Sequence, residues 1–127
     1  MKRILIISLI IIIFCLAACK KQSENEQYYF RGVKAERSMN YEGAIAHYAK
    51  ALTFNRQDAI SWFAKGRCHL LLAMSENFLL TNEEIKISRI KSNLSKADDC
   101  FRRAQQWGYR TTAESDTLYK KLQKKFY

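Results

Sequence analysis

Proline is absent from the 127-residue chain, and only four glycines and two histidines are present. Without proline, no helix meets the missing amide donor and ring clash by which that residue kinks or breaks it. The four glycines are isolated, which excludes a phosphate-cradling glycine loop, and neither G-x-S-x-G nor H-E-x-x-H occurs. His47 and His69 each lack a ligand partner four residues away, so no metal site is expected. Carboxylates are scarce: 12 acidic residues face 22 basic ones, a formal charge of +10. Asp98 and Asp99 are adjacent, but neighbours on a helix point about 100° apart and cannot share a substrate. Glu83 and Glu84 suit a helix start, where negative charge complements the macrodipole. No catalytic constellation is left, and the chain reads as a non-enzyme without cofactor.

Long apolar runs are also missing, with one short exception at the start. Lys2 and Arg3 precede an apolar stretch from Ile4 to Phe14, followed by Cys15-Leu16-Ala17-Ala18-Cys19. A basic start, a short greasy core and small residues before a cut site describe an export signal. Ile4 to Ala18 falls short of the roughly 20 residues that span a bilayer core. The string Leu16-Ala17-Ala18-Cys19 resembles the bacterial lipobox. That resemblance implies a signal peptide over residues 1–18, cleaved before Cys19, and acylation of the Cys19 thiol. Residues 19–25 then form a polar tether, whose Lys20 and Lys21 sit against anionic headgroups. Lys20 is not the aspartate that retains enteric lipoproteins in the inner membrane. The expected place is therefore a bacterial membrane, by lipid anchor, with the periplasmic face of the outer membrane favoured in a Gram-negative source.

Cleavage would leave one small domain carrying +8, since Lys2 and Arg3 depart. Its apolar residues recur at three and four positions, the helical rhythm. The first helix is expected over about Glu26 to Ser38, burying Tyr28, Phe30, Ala35 and Met39. Asn40 caps a second, with Ala44, Ile45, Tyr48, Ala51 and Leu52 in its stripe. Asp58 caps a third, which extends to about Phe78. Thr81 and Glu84 fit a capping box for a long fourth helix to Trp107, with Ile87, Ile90, Leu94, Ala97, Phe101 and Ala104 on one face. Gly108 is a C-terminal stop. After a second capping box at Thr111 and Glu114, a last helix over 112–126 sets Leu118, Tyr119, Leu122 and Phe126 against a lysine face.

Within this pattern, Tyr28-x-x-Arg31-Gly32 returns 34 residues later as Trp62-x-x-Lys65-Gly66. Each is followed by a small-aromatic-small series: Ala44, Tyr48, Ala51, then Ala97, Phe101, Ala104. A glycine on one helix and alanines on its partner let two backbones approach while a ring fills the space beside them. These residues resemble the tetratricopeptide repeat family, W-x-x-L-G-x-x-Y followed by A-x-x-x-F and A. Repeat 1 covers 25–58. Repeat 2 covers 59–107 with 19 extra residues, because Gly66 to Ala97 is 31 positions where Gly32 to Ala44 is 12. The family's closing proline is missing from both copies. The extra residues hold no glycine or proline and keep the helical rhythm, so they are expected to lengthen both arms of the second hairpin.

The resemblance implies an all-α fold over 26–127: a short right-handed stack of antiparallel helical hairpins, the second elongated, closed by a capping helix. It also implies a concave groove for a peptide or partner helix, lined by Tyr29, Phe30, Val33 and Arg37 from one repeat. From the other come Phe63, Arg67, Leu70 and Leu71. The expected function is an interaction module or assembly factor for another envelope protein. The alternative is a basic module for polyanions such as acidic lipid, lipopolysaccharide or cell-wall polymer; nucleic acid fits the charge but not the compartment. Cys68 and Cys100 lie on opposite arms of the second hairpin, either bridged in an oxidising compartment or kept as two small buried thiols.

Overall fold

Five helices make up the computed structural model, which describes residues 23–79, 81–110 and 113–126. The leader, Cys15, Cys19 and the tether up to Gln22 lie outside the described residues, as does Thr111 of the last capping box. In chain order the helices are α1 (Glu24–Arg37), α2 (Tyr41–Phe54), α3 (Ala59–Leu79), α4 (Glu83–Gln106) and α5 (Ala113–Phe126). No strand occurs among the described residues, and no helix there is long and apolar enough to cross a membrane.

Short polar side chains set the boundaries. Ser23 accepts from the Glu26 amide at the start of α1, and Asn40 Oδ1 accepts from Gly43 N at 2.9 Å to open α2. Asp58 opens α3, accepting from Ile60 N at 3.2 Å with one oxygen and from Ser61 Oγ at 2.6 Å with the other. For α4 the cap is Asn82, which accepts from Ile85 N at 3.2 Å, one residue beyond the expected Thr81. Asparagine meets a free helix-start amide as well as threonine does, so the register moves without loss. Gly108, at φ +87°, ends α4 in the left-handed conformation that glycine adopts most cheaply.

Packing runs between consecutive helices. Contacts that ascend along α1 descend along α2: Tyr28 stacks on Phe54, Gly32 lies under the Tyr48 ring, and Tyr48 Oη reaches Glu36. The same reversal joins α3 to α4, where Gly66 lies under Phe101, His69 meets Asn93, and Glu76 meets Arg89. Both pairs are therefore antiparallel. Both also use one device: a glycine on the first arm faces a ring on the second, with the flanking alanines buried. Ala44, Ala51, Ala97 and Ala104 are all solvent-free, as is Tyr48, and Phe101 is buried. A Cβ on either glycine would fall within 3 Å of that ring.

The core forms two clusters. Ala44, Tyr48, Ala64 and Cys68 join the first pair to α3. Phe63, Leu70, Ile90, Leu94, Phe101 and their neighbours fill the second pair, and Tyr119, Leu122 and Phe126 of α5 pack onto them. The side chain of Leu118 lies outside the described ones. Three burial expectations are corrected. Met39 sits in the turn at φ 56° and is exposed, Phe30 is exposed on the outer side of α1, and Ile87 is exposed near the start of α4.

Candidate functional site: the α1–α3 groove

Tyr29, Gly32 and Glu36 follow one another at three and four residues, so they share a face of α1. Glycine lets that face approach Tyr48, which carries Glu36 in toward α3. Glu36 becomes the fastening point between the two helix pairs. Its Oε2 accepts from Tyr48 Oη at 2.9 Å and from Arg67 Nη2 at 2.9 Å, while Oε1 meets Arg67 Nε at 2.8 Å. A forked guanidinium–carboxylate contact fixes orientation as well as distance. A second tie, from Asn25 Nδ2 to Asp58 Oδ2 at 3.2 Å, joins the start of α1 to the start of α3.

Beside this fork lies an open groove of about 390 Å³. Tyr29, Val33, Glu36 and Arg37 border it from α1, Arg67 and Leu71 from α3, and Tyr41 closes it from α2. Electrostatically it is a cationic rim on a fixed floor. The Glu36 fork satisfies Arg67, whose guanidinium is held in its charged form against the opposing effect of burial. Arg37, one residue on, has no ion pair among the described residues and stays exposed. Burial pushes the Tyr29 hydroxyl up, with Arg67 pulling the other way. It also raises Tyr48, which the Glu36 bond holds protonated. All three hydroxyl and guanidinium groups are thus donors at neutral pH, and the groove offers apolar side chains with positive charge.

The expected lining divides. Tyr29, Val33, Arg37, Arg67 and Leu71 do come together. Phe30 does not: it packs edge-on against Tyr29 with its own ring turned outward. Phe63 and Leu70 are corrected, because both are core residues. Phe63 stacks on Tyr109 at 4.4 Å between centroids and tilts against Phe101 at 5.5 Å; Leu70 is solvent-free. With only two pairs and an elongated second one, the inner face of α3 is spent on α4. Glu36 was missed, although its place on the Tyr29–Gly32 stripe marks a charge that needs a partner. Cys68 and Cys100 are free buried thiols and no bridge joins them. Cys68 lies with Tyr48 near Glu36, and Cys100 lies against the backbone of Gly66.

No family model, curated protein or solved structure matches this chain.

Proposed function

We propose that the chain is a lipid-anchored interaction module built from two tetratricopeptide-like hairpins, the second elongated and followed by a capping helix, and that its α1–α3 groove holds a segment of another envelope protein. The glycine-under-ring device supports the repeat reading: it recurs in both helix pairs, spaced as the 34-residue period plus 19 extra residues requires. The observation that carries the functional reading is the assembly of Tyr29, Val33, Arg37 and Leu71 around a floor locked by the Glu36–Arg67 fork. A rigid floor limits the ordering cost of binding, and aromatic plus arginine side chains are what interface hot spots use. The unpaired Arg37 selects a segment with an acidic residue beside an apolar one.

A photo-crosslinking amino acid at Val33, in the full chain in cells, should trap one defined envelope protein. The same group at the exposed Glu42 should trap none, and Arg37→Glu should abolish the Val33 adduct by charge reversal. Equal adducts from both positions, or an adduct that ignores Arg37→Glu, would remove the groove from the proposal. For the anchor, the basis is the Leu16-Ala17-Ala18-Cys19 string. Cys19→Ser should leave an uncut precursor without palmitate, and unchanged palmitate incorporation in that variant rules the anchor out.

A further inference from the structure

A second groove, of about 320 Å³, opens between α2, α3 and α4. Its floor is apolar, made by Ala49 and the buried Leu52, and its centre is the indole of Trp62. The ring is held in place because its Nε1–H donates to the Arg56 carbonyl at 2.8 Å. Three cations gather around it: Lys65 Nζ lies 5.3 Å from the ring centroid, Arg103 Cζ 4.9 Å, and Arg56 borders the same groove. Arg102 and Arg103 are balanced by Asp98 and Asp99, at 3.2 Å and 2.8 Å. Arg56 and Lys65 have no carboxylate in ion-pair reach among the described residues. Counted locally, the groove therefore carries two uncompensated positive charges.

Like charges gathered on a half-buried ring repel one another, and the ring quadrupole offsets only part of that repulsion. A ligand that supplies about two negative charges removes the rest. A phosphate monoester carries roughly −1.5 to −2 at neutral pH, with oxygens spaced for guanidinium and ammonium donors. We infer that the Trp62 groove binds a dianionic phosphate group, held by Arg56, Lys65 and Arg103 over an apolar floor. The phosphate can belong to a lipid headgroup or to a free phosphorylated molecule; both present the same chemistry. This inference is independent of the α1–α3 groove.

The ring reports on its own site. In the full chain in neutral detergent, with Trp107→Phe leaving Trp62 as the sole indole, inorganic pyrophosphate and a soluble short-chain phosphatidic acid are titrated separately. Short-chain phosphatidylcholine and matched sodium chloride serve as controls. A saturable change in Trp62 emission is expected. A response to pyrophosphate alone assigns a soluble phosphate, to phosphatidic acid alone a headgroup, and to both the shared group. Arg56→Gln and Lys65→Gln should each weaken binding about threefold to tenfold, the range for a charge-assisted contact at a partly exposed site. Arg37→Gln, in the other groove, should leave it unchanged. Calorimetric titration of the unsubstituted chain gives a second reading that needs no tryptophan variant. The assignment is overturned by silence toward both probes in both measurements. A response matched by chloride, or undiminished in the Arg56→Gln/Lys65→Gln double variant, overturns it equally.

Discussion

At Gly66 an added Cβ would lie 2.8 Å from Phe101 Cε1 and 3.0 Å from Cys100 Cβ, the second of which is fixed to the α4 backbone. Alanine favours a helix over glycine by about 1 kcal/mol, but overpacking a filled contact costs about 1–3 kcal/mol. Packing wins in this buried position, so Gly66→Ala should lower stability by up to about 2 kcal/mol in urea denaturation. Phe101→Leu in the same background should recover part of that loss, since neighbouring substitutions couple. A neutral or stabilising Gly66→Ala would mean that α3 and α4 stand further apart than described. The same scale separates core from groove. Phe63→Ala empties the space between Tyr109 and Phe101 and should cost about 3–5 kcal/mol. Arg37→Ala, exposed and unpaired, should stay within about 0.5 kcal/mol. A binding defect in Phe63→Ala would then report unfolding, whereas one in Arg37→Ala would report contact.

Among the elements, the long α3–α4 pair is held by more than apolar surface. His69 Nδ1 lies 3.0 Å from Asn93 Oδ1, Asn93 Nδ2 donates to Glu76 Oε2 at 3.2 Å, and Glu76 pairs with Arg89 at 3.8 Å. With Asn93's amide nitrogen committed to Glu76, its oxygen accepts, so His69 carries its proton on Nδ1. Burial lowers the His69 pKa below its ordinary 6.5; the Asn93 bond opposes this, and Lys65 and Lys96 add to the lowering. The unfolded imidazole thus takes up a proton first. The stability that His69 contributes is complete above pH 6.5 and is lost as pH falls toward the lower native value. Urea midpoints measured from pH 7.5 to 5 should show this decline, and His69→Gln, which can still donate to Asn93, should flatten it. Equal slopes in both proteins would detach His69 from the pH dependence. Much of the element pattern was legible: the unbroken rhythm from Ile90 to Ala104 carries α4 through the extra residues. Illegible were Asn93 of α4 and Glu76 of α3, polar residues that each find a partner on the opposite arm. The fates of Phe63 and Leu70 were hidden for a related reason. Periodicity gives a helix its faces, but which neighbour each face meets depends on how many helices stack.

For the whole molecule, the open question is whether two helix pairs of unequal length unfold as one. The two thiols can answer it, because they sit in different places. Cys68 belongs to the cluster that joins α2 to α3, and Cys100 lies between the arms of the second pair. Burial pushes Cys68 up to about 12, with Glu36 adding to the rise, and pushes Cys100 up to about 11. Neither is a thiolate at pH 8, so neither should react with maleimide until the fold opens. The Glu36–Arg67 fork and the shared Cys68 cluster bind α1 and α2 to α3 across the junction between pairs. If that junction is as strong as either pair, both thiols become reactive together, at one rate in each urea concentration, with labelling read peptide by peptide in a mass spectrometer. Arg67→Ala leaves Glu36 half-buried without its cation, a loss of the kind that weakens a junction more than a pair. In that variant Cys68 should react at least about threefold faster than Cys100, since one RT of lost coupling already changes the open population nearly threefold. Identical rates in Arg67→Ala would show that apolar contact at Ala64 and Cys68 holds the pairs together unaided. Unequal rates in the unsubstituted chain would divide the molecule into two folding units.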